Sequence, residues 1–219
     1  RVSGSTKLSV ADSIWIDDQF EASTSWLSRM VGLYGAEIFQ SGLCTDVTRT
    51  GMNHWVSNKT KGLIPTLFSQ NLSEEARMIL MNTVYLKVKW LHEFNANNTY
   101  AREFTNEDGS VVSPYFLNNY EVDRCYFKTE EADGVVLPYD DGRLAMVAIR
   151  PQAGQTAREL AKTLTAQKVA KYLEDSKETS YVNLHLPKFT LDYTVVMNDL
   201  LQELGLTDTF SPEKANFNS

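Results

Sequence analysis

The sequence predicts an α+β protein, and three features carry that reading. Stretches with strand character and stretches with helix character follow one another in blocks rather than in strict alternation, as they do where sheets and helices are segregated within a domain. Arg77–Trp90, RMILMNTVYLKVKW, opens on a continuous apolar run and then alternates Val84, Leu86 and Val88 against Tyr85, Lys87 and Lys89. Helical periodicity fits it poorly, and an extended segment of that length belongs to a large sheet. Finally, Asp140-Asp141-Gly142 stands between two apolar runs and marks a hairpin.

In chain order, Leu8–Ile16 reads as a strand whose small residues Ser9, Ala11 and Ser13 let another layer approach closely. Ser23–Tyr34 reads as a helix with Trp26, Leu27, Met30 and Leu33 on one face and Gly35 as its stop. A strand at Ala36–Phe39 follows. A second helix runs Thr48–Lys61, with Met52, Trp55 and Val56 at three- and four-residue spacing and Gly62 beyond its end. After Asn95 short strands are expected at Val111–Val112, Arg124–Phe127, Val135–Leu137 and Leu144–Ile149, separated by Asn- and Asp-Gly-rich turns. Ala157–Leu164 and Thr165–Leu173 read as helices, the second capped by Thr165. Tyr181–Tyr193 returns to strand. Thr194–Leu204 closes as a helix with Val196, Leu200, Leu201 and Leu204 inward and Gly205 ending it.

Composition narrows the function classes. With 42% apolar and 22% charged residues the chain is expected to be soluble and folded. A net charge of −7, from 28 acidic and 21 basic side chains, argues against partners built of phosphate backbone or anionic lipid, so neither nucleic acid nor membrane is expected. Met78–Tyr85, the longest apolar candidate, is far short of a bilayer span and is interrupted by Asn82 and Thr83. Arg1–Lys7 lacks the apolar middle of a signal peptide, so either the chain is not exported or, as the favoured expectation, the true beginning of the protein lies upstream. Cys44 and Cys125 are too few for a disulfide framework; two buried free thiols are the expectation, with one long-range bridge as the alternative. Asn58, Asn71 and Asn97 each head an Asn-x-Ser/Thr triplet.

Catalytic constellations are missing. There is no Gly-x-Ser-x-Gly elbow, no phosphate-cradling glycine loop and no Gly-x-Gly-x-x-Gly. His92-Glu93 begins like a zinc helix, but no second histidine follows, and His54, His92 and His185 share no ligand spacing. Asp17-Asp18, Glu74-Glu75, Glu130-Glu131 and Asp140-Asp141 are read as solvated charge at turns and helix starts. Trp55 and Trp90 are read as core. No cofactor, metal or catalytic residue is expected, and the chain is read as no enzyme.

A family resemblance adds to this. ILMNTVYLKVKW is similar to the serpin pattern of Asn, a short apolar run and Lys-Gly-x-Trp, which forms the third strand of that family's central sheet. NHWVSNKTKGLI (Asn53–Ile64) resembles its helix across the front of that sheet. LPYDDGRLAMVAIRP (Leu137–Pro151) resembles its Leu-Pro-Tyr hairpin, and Leu184–Phe217 its Leu-Pro-Lys-Phe strand and the helix that ends Leu-Gly-Leu. The pieces occur in family order over nearly the whole chain. Departures are Val88 for the usual glycine, Pro114-Tyr115-Phe116 for Pro-Met-Met, and Ala215-Asn216-Phe217-Asn218-Ser219 for Ala-Asp-Phe-Ser-Gly.

The resemblance implies a serpin-like α+β fold: a large, mainly antiparallel central sheet with covering helices plus a smaller hairpin or barrel-like region. It implies that residues 1–219 are one partial domain truncated at both ends, lacking the first helices, the fifth strand of the central sheet, the hinge, the reactive loop and further strands. It implies a suicide-substrate inhibitor of a serine or cysteine protease, in which the cut loop inserts into the sheet, with a non-inhibitory carrier, chaperone or storage protein as the alternative. These residues alone are then expected not to inhibit. Asn82 and Trp90 are implied as sheet-opening residues, and Asn53 and Trp55 as part of the helix over the sheet; a satisfied polar core residue is the other reading of Asn82. The target protease is the implied partner, and the resemblance alone favours an extracellular location.

Overall fold

Ten strands and five α-helices run through the residues that the computed structural model describes, 6–190, 195–211, 214 and 215. They fall into two compact units: residues 7–86 with the described part of 195–215, and residue 6 with 87–190.

The first unit is built on strands β1 (Lys7–Ile16), β2 (Glu37–Gln40) and β3 (Met78–Lys87), in the order β2-β1-β3. β1 and β2 run parallel, Ser13 opposite Glu37 and Ile16 opposite Gln40, so the connection between them must cross over, and helix α1 (Thr24–Tyr34) makes that crossover. Gly35 ends α1 in the left-handed conformation (φ +63°), and its N–H donates to Val31, a position that suits glycine because it has no Cβ. Trp26, Leu27 and Met30 pack on Ile14, Ile16, Ala36 and Met78. Leu33, expected on the same face, is instead 70% exposed. Spacing identifies a helix face, but only the extent of the surface beneath decides how much of it is covered.

Helix α2 (Asp46–Lys59) begins two residues earlier than its apolar pattern, because Thr45 caps it by accepting from the Thr48 N–H. It ends before Lys61, which is left-handed (φ 56°). Its inward face, Met52, Trp55 and Val56, closes a core with Trp15, Leu43 and Met81. The small residues of β1 act as expected there: Ala11 packs against this core, and buried Ser13 accepts from the Trp15 indole N–H at 3.1 Å.

β3 is shorter than its sequence pattern. It stops at Lys87, and Trp90 joins only one isolated antiparallel bridge, to Tyr139. Helix α5 (Asn198–Glu203), assigned to the same unit, is also shorter than Thr194–Leu204, and Thr194 lies outside the described residues. Val196, Leu200 and Leu204, expected inward, are exposed, the first and last by about three quarters (76% and 75%). Their periodicity is real, but among the described residues nothing buries them.

The second unit carries β4 (Thr99–Ala101), β5 (Phe104–Thr105), β6 (Val111–Val112), β7 (Tyr115–Lys128), β8 (Ala132–Pro138), β9 (Ala145–Pro151), helices α3 (Ala157–Thr163) and α4 (Ala166–Asp175), and β10 (Lys177–Pro187). Its main sheet runs β10-β7-β8-β9 with β4 also on β7, every pairing antiparallel, while β5 and β6 form a separate small hairpin. β7 greatly exceeds the expected Arg124–Phe127, because its first half carries polar side chains that hide a strand pattern. Asn118 is one of them, fully buried, its amide donating to the carbonyls of Asn98 (2.6 Å) and Phe116 (2.9 Å). Similarly, β10 starts before and stops short of Tyr181–Tyr193; residues 191–193 lie outside the described part.

The Asp140-Asp141-Gly142 turn joins β8 and β9 as predicted. A capping box at Thr156 and Glu159 starts α3, and Thr165 caps α4. Leu160 and Tyr172 then close over Phe127 and Ala132. Gly134 sits under this layer with no room for a side chain: a Cβ there would lie 2.4 Å from the Phe127 ring and 2.6 Å from the Ala148 carbonyl oxygen. Both cysteines are free, and both are exposed rather than buried. Cys44 falls in the turn before α2, and Cys125 lies within β7, positions that apolarity alone does not reveal.

Candidate functional site

β3 is an edge strand. Its ten residues pair with β1 on one side and with no strand on the other among the described residues. Alternation divides its side chains. Met81 and Thr83 are buried on the face that α2 covers, whereas Leu80, Val84 and Leu86 are exposed. An open, apolar strand edge is a site where further chain can add.

Asn82 lies on the exposed side of β3. Its Nδ2 donates to Asp12 Oδ1 across β1 at 2.8 Å, and Thr83 Oγ1 donates to the Ala11 carbonyl at 3.4 Å. Asn82 is therefore not a polar core residue; it ties β3 to its inner neighbour. Asp12 was not anticipated, although an acid inside the small and apolar run LSVADSIWI was the available signal.

Trp55 is buried where α2 crosses the sheet. Asn53 does something different. Its Oδ1 accepts from the N–H groups of Leu67 and Phe68, both at 2.8 Å, and its Nδ2 donates to the Phe68 carbonyl at 2.9 Å. Arg49 Nε adds a bond to Asn71 Oδ1 at 2.9 Å. The connection from α2 back to β3 is thus strapped to α2, and Phe68, Leu72 and Ala76 of that strap pack on the same core.

At the end of α2, Lys59 Nζ meets Glu37 Oε1 of β2 at 2.5 Å and lies 5.7 Å from the centre of the Trp55 ring. The bond from Lys59 holds the Glu37 carboxyl below its ordinary range, against burial, which works to raise it; the Trp55 indole helps to a lesser degree. The indole N–H nevertheless makes no hydrogen bond within ordinary distance. Neither Glu37 nor Lys59 stands out in the sequence, since their meeting depends on how α2 crosses β2.

Trp90 belongs to the second unit. Its ring stacks on Tyr139 (5.0 Å between centroids), meets Phe94 edge-on (5.8 Å), and packs beside Val135, Leu137 and Leu184. Backbone bonds from Leu91 to Pro138 (2.9 Å) and from Asp140 to Lys89 (3.0 Å) pin the chain on both sides of it. The aromatic pair and the bridge hold Trp90 to the β8–β9 turn.

Histidines do not converge. His54 and His92 are exposed, and His185 Nδ1 lies 2.7 Å from Asn118 Oδ1. Because both Asn118 amide hydrogens go to carbonyls, His185 Nδ1 is the donor in that pair. Burial, then the nearby Arg102 charge, keep the imidazole below its usual pKa. Among the described residues, no group of three or more His, Cys, Asp or Glu is placed to hold a metal ion, and no helix is long and apolar enough to cross a membrane.

A three-stranded sheet with an open β3 edge, a helix strapped across it and a separate antiparallel sheet define an α+β architecture that known proteins share. A family model described as Serpin (serine protease inhibitor) matches residues 2–219, and the chain belongs to the serpin family. It is 28% identical over 216 residues to antithrombin-III of Homo sapiens, a match that covers 96% of this chain and 46% of that protein. The crystal structure of the thermophilic serpin tengpin in its native state superposes with a TM-score of 0.91 at 33% identity, covering 99% of this chain and 55% of tengpin. Tengpin in its latent state gives 0.85 at 34% identity, covering 97% and 57%. The chain spans about half the length of these relatives.

Proposed function

We propose that these 219 residues are the central part of a single serpin domain, and that the longer protein containing them inhibits a serine or cysteine protease as a suicide substrate. In this reading the protease acylates an exposed loop supplied from outside this chain. The cut loop then adds as a strand along β3 and carries the protease with it. The partner is the protease, and the chain itself performs no catalysis.

The family match over residues 2–219 carries the proposal, and β3, with no neighbour on one side among the described residues, is where the strand would add. A new strand along its ten residues would make on the order of ten backbone hydrogen bonds, or about 5–15 kcal/mol at the usual net value per bond. Burying Leu80, Val84 and Leu86, now exposed, adds to that gain. A step so favourable holds a covalent intermediate only if the uncut state withholds it kinetically. Asn82 serves by keeping β3 joined to β1 through Asp12 while the far edge takes its neighbour. Trp90 serves by fixing the chain beyond β3 to the β8–β9 turn. Asn53 and Trp55 hold the helix and strap that must give way.

The test is incubation of the longer protein with a panel of serine and cysteine proteases. Complexes that survive SDS, formed one to one with loss of protease activity, are the expected result. If the whole panel cleaves or ignores the protein without forming a complex, inhibition is wrong and the carrier, chaperone or storage role takes its place.

A further inference from the structure

α2 and its strap behave as one body, because Asn53 makes three hydrogen bonds to Leu67 and Phe68 and Arg49 makes another to Asn71. Most of what holds this body to the sheet is apolar: Met52, Trp55, Val56, Phe68 and Leu72 against Trp15 and Met81. Such contact is non-directional, so sliding costs little until area is lost. Among the described residues, one ion pair or hydrogen bond joins the body directly to a strand of the sheet, and it is Lys59 to Glu37 on β2. Two further polar ties lie just past strand ends: Thr48 to Ser41 beyond β2, and the Asp17 N–H beyond β1 to the Arg77 carbonyl at the end of the strap, at 3.0 Å. β2 is also the strand farthest from the β3 edge.

A strand added beyond β3 would turn alternate side chains toward the face that α2 and the strap occupy, because side chains alternate across a sheet. The strap leads directly into β3 at Met78, so it is the part of the body that an incoming strand meets first. The body must lift or slide to admit it.

We infer that the Glu37–Lys59 pair is the latch that sets the rate of this movement, an inference that rests on the strand-insertion reading above. Glu37 and Lys59 are positioning residues, since neither touches the incoming strand. The pair is half-exposed, with side-chain exposures of 43% and 32%, so it adds little to overall stability. It acts on the rate because it must break before the apolar contacts can slide. Its charge is screened by salt.

The experiment measures how fast a fluorescent peptide of roughly ten alternating Thr and Ala residues anneals to the longer protein that contains this chain, by anisotropy and by native-gel shift. Glu37→Gln and Lys59→Met should each speed annealing about two- to fivefold, as expected for loss of one half-exposed pair. The charge-swapped double variant, Glu37→Lys with Lys59→Glu, should restore the slow rate. Added NaCl should speed the unmodified chain but not Glu37→Gln. Annealing at one common rate in all four proteins overturns the latch while leaving insertion standing. A charge-swapped double variant that anneals as fast as the single variants reduces Lys59 to a packing residue and also overturns it. Absence of annealing in every protein, with circular dichroism unchanged, removes the open edge as a docking site and takes both proposals down.

Discussion

The two units use their sheets in opposite ways. In the second, two carboxylates near the sheet are paired in place. Arg150 grips Asp133 through Nε (3.0 Å) and Nη2 (2.7 Å), with Tyr126 donating a third bond at 3.1 Å. Lys168 and Tyr172 both reach Glu131, at 2.8 and 2.6 Å. Burial, then the carboxylate of Glu131, pushes the Tyr172 phenol up to about 12. In the first unit β3 leaves an edge and three large apolar side chains open, and a helix crosses the sheet on apolar contacts with a single ion pair to a strand among the described residues. The Asp133 and Glu131 ion pairs frame the second sheet, whereas the first, through β3, keeps exposed apolar side chains beside an edge with no strand partner among the described residues.

The largest effect should come from Trp55→Ala, which empties the core beneath α2 and costs about 4 kcal/mol. Urea unfolding followed by tryptophan fluorescence and circular dichroism should show the first unit lost at lower denaturant. A shift of both units together would merge two regions that are contrasted above. Gly134→Ala tests the frame. With a ring and a carbonyl already where the methyl must go, it should cost about 3 kcal/mol, read as a lower Tm, and a neutral result would mean that β7, β8 and β9 give way more easily than a finished frame should.

Asn53→Ala sharpens the contrast within the first unit. Loss of three bonds to the strap should cost about 2 kcal/mol and raise hydrogen exchange at Leu67 and Phe68, while amides of β7 and β8 remain as protected as before.

Acid should produce the smallest effect, and its sign follows from the carboxylates. Burial works to raise the Asp133 carboxyl, but Arg150 and Tyr126 outweigh it and leave it below its usual value. A carboxyl lowered on folding stabilises fully above its unfolded pKa, near 4, and loses that contribution as pH falls through the folded value. Unmodified protein should therefore lose Tm below about pH 4, and Asp133→Asn should lose less over that window. An equal acid slope in both proteins would show that the Asp133 network is not what holds the frame.

Much was legible before any coordinates. β1, α1, α2, the β8–β9 hairpin and the cap at Thr165 follow from short-range chemistry: periodicity, a left-handed glycine, a hydroxyl placed to accept an N–H. Trp55 in the core was readable for the same reason. What escaped was cooperative over distance. β7 was underestimated because its buried Asn118 is satisfied by carbonyls and a histidine from elsewhere in the chain. β3 was overestimated because Trp90 forsakes the strand for Tyr139.

The sequence by itself determined the family, the helix over the sheet and the lack of local catalytic motifs, since each depends on residue types at fixed spacing. Tertiary structure alone decided that Asn82 binds Asp12, that Asn53 holds a strap, and that Glu37 meets Lys59. Those contacts join residues from 14 to 70 positions apart. A partner so remote leaves no periodic trace in the chain, because its position is set by packing rather than by spacing.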